Sequence, residues 1–418
     1  MEDLKKINFL YFFICIAIIA LLIYGEFLYN IYIHPTEILN TLGEKEILLF
    51  GDFKYLFKVI KCHNLGFNVY SSHDCYKDYY GSYVYGPSIL FLPSISKDVS
   101  NNLTDFFFAP ILIITFVYLN IKLINPNNLY KYFLTTLILF NPTTLFLYEK
   151  LNIDIVIYIS LIFLVYFTKN NLFKLIMIFF MTLTKFYPAI LSIIFLLEKK
   201  KIYKNIIFFL LSIFLTILFI YFFWENLIVV KGTLKYISQS FKYNFSLNSL
   251  NKIFIFITNL ENIIFTKIIF ITISLVSSYL IYFFLLKSKT FINENNLNND
   301  TNFFILSSSL SISLYLIFGN NFYREIYLIG IIPFILKNTG INILRYILYL
   351  FIFKYIYLLI FFPYYYNADL NINKTAQVLI GLKSLIDYFL ISILNSVLFI
   401  FINIYFKKYL NYFKKNEY

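Results

Sequence analysis

Long apolar runs, broken at intervals by short lysine- or asparagine-rich stretches, set the plan of this chain. Asn8 to Tyr32 carries one charge, Glu26, and Ile206 to Trp224 carries none. Each run matches the roughly 20 residues that an α-helix needs to cross a bilayer core. In lipid every backbone polar group must be satisfied inside its own segment, so such runs are helices. The pattern predicts an all-α, polytopic transmembrane bundle of about twelve helical segments in one domain, 1–418. Spans are expected near 8–32, 106–124, 131–148, 152–168, 205–224, 263–286, 303–318, 326–337, 343–362 and 385–406. The first run is too long for a signal-peptide core and lacks a small-residue cleavage site, so it reads as an uncleaved span. With the N-terminus inside, residues 34–105 form a large first extracytoplasmic loop, 225–262 a second, and 363–384 a third.

One stretch departs from simple crossing. Residues 172–197 are apolar but are flanked by Lys169 and Lys174 on one side and by Lys199 to Lys204 on the other. Both ends therefore belong in the cytosol. A run of this length cannot make two full crossings, which need about 40 residues. Its middle reads Thr184-Lys-Phe-Tyr-Pro188. Two short helices forming a re-entrant hairpin, with Lys185 and Pro188 near the tip, satisfy both constraints. Broken backbone at membrane depth is tolerated where it lines a cavity. The alternative is one ordinary span containing a buried lysine, which would reverse the sidedness of every later loop.

Composition agrees with this plan. Of 418 residues 60% are hydrophobic and 14% charged, with a mean hydropathy of +0.74, too little charge to cover a soluble domain of this size. The formal charge of +13 would suit nucleic acid, but the lysines and arginines sit in short stretches between spans, which is the positive-inside pattern. No nucleic-acid partner is expected; membrane lipids are. Of three cysteines, Cys15 lies in the first span, while Cys62 and Cys75 lie in the first outer loop. Outside the cytosol that pair can close a disulfide worth about 3 kcal/mol in the chain-entropy picture, or can remain two separate thiols. His34, His63 and His73 fit no metal-ligand spacing, and neither a metal nor a cofactor is expected.

Candidate chemistry gathers at the outer membrane boundary. In Gly51 to Ile60, Phe53, Leu56, Phe57 and Ile60 recur at helical spacing and predict an amphipathic helix. Asp52 at its start is either an N-cap or a carboxylate held at the interface as a general base. Tyr70 and the stretch Tyr83-Val-Tyr-Gly-Pro87 are an aromatic belt or a wall for a sugar. Asn152 reads as an N-cap, and Asp154 opens the next apolar run. Lys185 and Arg324 are the cations placed deepest, and ionisable groups there are functional candidates. Together they could clamp a phosphate; Arg324 could instead pair with its neighbour Glu325.

Taken in order, these pieces resemble the lipid-linked-sugar glycosyltransferases of the GT-C class. They look most like the GT87 or DUF2029 group of polyprenyl-phosphate-mannose-dependent mannosyltransferases. The resemblance spreads over most of the chain. It rests on Asp52 and Tyr55, Leu65-Gly66 and Tyr70, Tyr85-Gly-Pro87 and Pro93, then Pro142, Asn152 and Asp154, and Lys185-Phe-Tyr-Pro188. The chain departs from the family at Leu151, where a glycine is usual, in the single proline at Gly86-Pro87, and in lacking a histidine in the later outer loops. The resemblance implies Asp52 as catalytic base. It implies Lys185 and Arg324 as holders of the donor phosphate, and Tyr55, Tyr70, Tyr85, Asn152, Asp154 and Tyr187 as substrate-binding residues. The implied partners are a polyprenyl-phosphate sugar donor and a lipid or glycan acceptor. The implied setting is the outer face of a bacterial cytoplasmic membrane. A lipid-linked glycan flippase and a non-catalytic envelope assembly protein are the competing readings.

Overall fold

A computed structural model describes residues 2–33, 49–70, 75, 83, 85–198, 202–237, 245, 247, 250, 263–287, 298–317, 322–367 and 374–416. Among the described residues the regular structure is entirely helical. In chain order the elements are α1 (Glu2–Ile33), α2 (Gly51–Asn64), a 3-10 helix (Pro87–Phe91), α3 (Lys97–Leu103), a π turn (Thr104–Phe108), α4 (Ala109–Ile124), α5 (Leu129–Phe140), α6 (Pro142–Lys150) and α7 (Asp154–Tyr166). Then come α8 (Asn171–Thr184), a 3-10 helix (Tyr187–Ile193), α9 (Ile194–Leu197), α10 (Ile202–Phe222), α11 (Trp224–Ile237) and α12 (Ile263–Lys287). The chain closes with α13 (Asn299–Ile317), a 3-10 turn (Phe322–Glu325), α14 (Ile326–Ile329), α15 (Ile332–Lys337), α16 (Asn342–Asn367) and α17 (Lys374–Asn416).

Four helical stretches are long and apolar enough to cross a bilayer: Asp98–Ile124, Ile202–Phe222, Asn342–Phe361 and Thr375–Lys407. The second is apolar yet largely uncovered by protein, with Leu210, Phe214 and Ile217 each more than half exposed. Such a face is a liability in water and suits lipid. Shorter apolar helices, among them Asn8–Ile23, Leu129–Phe140 and Asn171–Thr184, complete the described hydrophobic segments.

All three expected outer loops are partly helical, the first through α2 and α3. Trp224–Ile237 is α11; most of the remainder of 225–262 lies outside the described residues, as do residues 34–48 of the first loop. The expected loop 363–384 is largely consumed by the ends of α16 and α17. Lys383, placed in that loop by the sequence reading, is buried and faces two carboxylates.

The chain packs as two compact units, residues 1–160 with 224–233, and residues 161–223 with 234–418. In the first, α2 packs by Phe53 and Phe57 on Phe108, at ring distances of 5.5 and 6.1 Å. Lys54 pairs with Asp105 of the same π turn at 2.7 Å. Polar contacts tie α1 to α5: the Tyr132 hydroxyl donates to Asn8 Oδ1 at 2.6 Å, and the hydroxyls of Tyr11 and Thr136 are 2.8 Å apart. Asn141, whose side chain caps α6 from Thr143 and Thr144 N–H groups, makes the break ahead of Pro142.

In the second unit, α8 ends at Lys185 and the chain turns back through the 3-10 helix and α9. Lys174 in the first turn of α8 forms an ion pair with Glu198 just beyond α9, so the two ends of the segment meet. Ser192 and Ser212 hydroxyls, 2.6 Å apart, join this hairpin to α10, and Phe186 stacks on Phe219 at 5.8 Å. Further on, Ser274 of α12 meets Ser392 of α17 at 3.0 Å. Tyr166 and Lys337 both reach Asp300 at the start of α13.

Candidate functional site

In the first unit, residues far apart in sequence converge on the start of α2. The cap position, Phe50, is left-handed at φ 61°, and no side chain caps the helix. Asp52 is therefore not the N-cap. It sits within the first turn, half-buried, and its Oδ2 accepts from Asn152 Nδ2 at 2.6 Å. Asn152 Nδ2 is also 3.2 Å from the Tyr85 hydroxyl oxygen. The other end of the same amide, Oδ1, accepts from the Asp154 N–H at 3.1 Å and so opens α7. One fully buried asparagine thus starts a helix and tethers a carboxylate, which an aspartate could not do because it has no N–H to donate. The backbone secures the arrangement: Phe50 N–H donates to Glu149 O at 2.8 Å. Leu151, at φ 47°, holds the left-handed conformation that glycine adopts without cost.

An aromatic group lies beside this carboxylate. The Tyr70 hydroxyl donates to Tyr85 O at 3.3 Å, and the Tyr83 hydroxyl to Gly86 O at 2.9 Å. The ring of Tyr83 contacts those of Tyr70 and Tyr85 at 5.3 and 5.6 Å. Burial pushes the Tyr83 phenol well up, with nearby Tyr70 and Tyr55 adding to it; burial does the same to Tyr70. These hydroxyls stay protonated and serve as hydrogen-bond groups. Cys62 and Cys75 are joined as a disulfide, which ties the end of α2 to the chain between Tyr70 and Tyr83. Asp154 is fully buried.

In the second unit, the hairpin break meets the turn before α14. The Arg324 guanidinium lies over the Tyr187 ring, 5.6 Å from its centre. The Tyr187 hydroxyl is 2.7 Å from that of Tyr327. Lys185, two residues before Tyr187, is buried, with the extended backbone (φ −140°, ψ 134°) that ends α8. A guanidinium on an aromatic face beside two hydroxyls and next to a buried lysine segment is suited to an oxyanion.

Lys185 and Arg324 are not the deepest cations. Lys354 of α16 and Lys383 of α17 are more completely enclosed. They face Glu325 and Asp387 at 2.6 to 3.0 Å in a closed ring of four ion pairs. The Glu325 carboxylate is thus taken by two lysines from distant helices. None of these four was singled out as a site in the sequence. The signal available was four isolated charges within or beside apolar runs, with a sum of zero. Among the described residues no three His, Cys, Asp or Glu side chains converge as a metal site would require; His34 and His73 lie outside them. No protein-family model, curated protein or solved structure matches this chain.

Proposed function

We propose that this chain is a membrane glycosyltransferase of the GT-C type. It moves a hexose, mannose in the first instance, from a polyprenyl-phosphate donor to a lipid or glycan acceptor on the extracytoplasmic face, with inversion. The observation that carries the reading is the tether from Asn152 to Asp52 beside Tyr85. Asn152, 100 residues from Asp52 in sequence, holds that half-buried carboxylate and also meets Tyr85. An amide donor fixes the direction of that carboxylate, as a general base needs. In the reaction Asp52 takes the proton of the acceptor hydroxyl as its oxygen bonds to the anomeric carbon. The bond from that carbon to the phosphate oxygen breaks, and its electron pair leaves with the lipid phosphate. Positive groups fixed in advance favour the departing charge; Lys185 and Arg324 are assigned that work. Tyr55, Tyr70, Tyr85, Asp154 and Tyr187 are assigned to substrate.

The same proposal includes the twelve-segment plan, with residues 172–197 re-entering from the cytosolic side. The pairing of Lys174 with Glu198 supports it, because it brings both ends of the segment together. A lipid-linked glycan flippase is the alternative, for which the buried charges of the second unit would have to line a polar route. Their mutual neutralisation and near-complete enclosure make a poor lining for a polar route.

The test is transfer of labelled mannose from polyprenyl-phosphate-mannose to extracted membrane lipid by the purified protein, compared with Asp52→Asn. General-base catalysis contributes about 100- to 10,000-fold, so the variant should fall by at least that lower bound with unchanged insertion. Transfer at the wild-type rate would remove Asp52 from the mechanism.

A further inference from the structure

The ring of Glu325, Lys354, Lys383 and Asp387 makes an odd contribution to stability. Its Nζ–O distances are Lys354 to Glu325 2.8 Å, Lys354 to Asp387 2.6 Å, Lys383 to Glu325 3.0 Å and Lys383 to Asp387 3.0 Å. Each side chain is at most 3% exposed. Taking four charges out of water is costly, and well-packed apolar residues generally serve stability as well or better. What such a cluster supplies is a fixed spatial relation between the segments that carry it.

Those segments are unequal. Lys354 lies in the interior of a 26-residue helix, and Lys383 and Asp387 lie one turn apart in a 43-residue helix. Both helices hold their shape without the cluster. Glu325 ends a four-residue 3-10 turn that enters a four-residue helix, and elements so short have little internal hold. The cluster therefore constrains the turn far more than it constrains the helices. The residue before Glu325 is Arg324. Its guanidinium lies over the Tyr187 ring, while the Glu325 carboxylate is enclosed by the two lysines. Lys354 is further held over the Phe245 ring at 4.9 Å.

We infer that the four buried charges position Arg324: by gripping Glu325 from two long helices, they fix the turn that presents the guanidinium to an oxyanion beside Tyr187. That the oxyanion is the donor's phosphate rests on the glycosyltransferase reading; the grip on the turn does not. Glu325, Lys354, Lys383 and Asp387 are positioning residues on this view.

Glu325→Gln alone leaves two lysines facing one carboxylate, a net charge of +1, and can fail to fold. Glu325→Gln/Lys354→Met keeps the balance, because Lys383 and Asp387 remain an i, i+4 pair. In this double variant, amide hydrogen exchange should quicken in residues 322–329 and stay unchanged across α16 and α17. Affinity for a polyprenyl monophosphate in detergent should fall about tenfold or more, the scale of a lost charged contact. Unchanged exchange in 322–329, or a uniform rise across the long helices as well, overturns the positioning role. Faster exchange confined to the turn, with unchanged phosphate affinity, keeps the grip and refutes the phosphate assignment of Arg324. The donor reading and the positioning inference thus fail by different measurements.

Discussion

Gly330 gives a sharp test of how the second unit is packed. Its backbone is helical, φ −63° and ψ −13°, so an alanine there fits the local conformation and would gain about 0.5–1 kcal/mol over glycine. Space opposes this. A Cβ at Gly330 would lie 2.1 Å from Ser307 Oγ, 2.8 Å from Ser307 Cβ and 3.1 Å from Phe303 Cζ, against ordinary contact from 3.4 Å. The hydroxyl can rotate away, but the Ser307 Cβ is fixed to α13 and must move with it. Overpacking of this kind costs about 1–3 kcal/mol, so the clash outweighs the propensity gain and Gly330→Ala should lose about 1–2 kcal/mol. Ser307 Oγ has no hydrogen-bond partner among the described residues, so Ser307→Ala alone should be neutral or slightly stabilising. Combining the two substitutions removes the 2.1 Å contact and leaves the 2.8 Å one, so the double variant should recover part of the loss. Thermal unfolding of the purified protein in detergent, read by loss of the monodisperse peak after heating, measures all three. A Gly330→Ala protein as stable as wild type, with strictly additive effects, would mean that α13 and α14 do not approach this closely.

Asn152→Asp keeps the helix-opening acceptor but replaces the N–H donor with a second negative oxygen facing Asp52; transfer should drop by about 10- to 100-fold, the worth of a hydrogen bond to a charged group, and Asn152→Ala should lose stability as well. Full transfer by Asn152→Asp would show that the tether does not matter to the reaction. Cys62→Ser/Cys75→Ser opens a loop closed over a separation of 13 residues and should cost about 3 kcal/mol, seen as easier proteolysis between residues 62 and 83 that reducing agent reproduces in wild type. Transfer should persist with excess chelator, since lysine and arginine supply the positive charge; abolition restored by added metal would refute this. Thiol labelling of Lys169→Cys and Lys204→Cys in sealed vesicles should report the same side of the membrane, and opposite sides would replace the hairpin by a single crossing.

Much of the helical plan was legible because apolar runs and their lysine flanks are local signals. The broken segment at Lys185 was readable from charge at both ends, and the Asn141-Pro142 break from the proline itself. The relation of Asp52 to Asn152 was not local. Pattern alone favoured capping for both, and the structure makes Asn152 a cap while removing that duty from Asp52. Leu151 shows why: its left-handed backbone lets α6 end and brings Asn152 round, yet a leucine carries no sign of that conformation. The buried charges are hidden in the sequence for a related reason. Lys383 stood where an outer loop was expected, and Lys354 was one lysine in an apolar run. Glu325 lies 29 and 58 residues from Lys354 and Lys383 along the chain, so beyond the local Lys383–Asp387 pair no single window reveals the neutralisation.

The distribution of those charges also constrains how the protein can be made. Lys383 travels with Asp387 in one helix and arrives already neutralised, but Lys354 has no carboxylate of its own within α16. A lysine alone at the centre of an inserting helix costs about 2.5–3.5 kcal/mol on translocon scales. Until α17 has been synthesised, Glu325, earlier in the chain, is the one carboxylate of the ring that can meet Lys354. The ring therefore reaches its full balance only when Lys383 and Asp387 follow with α17.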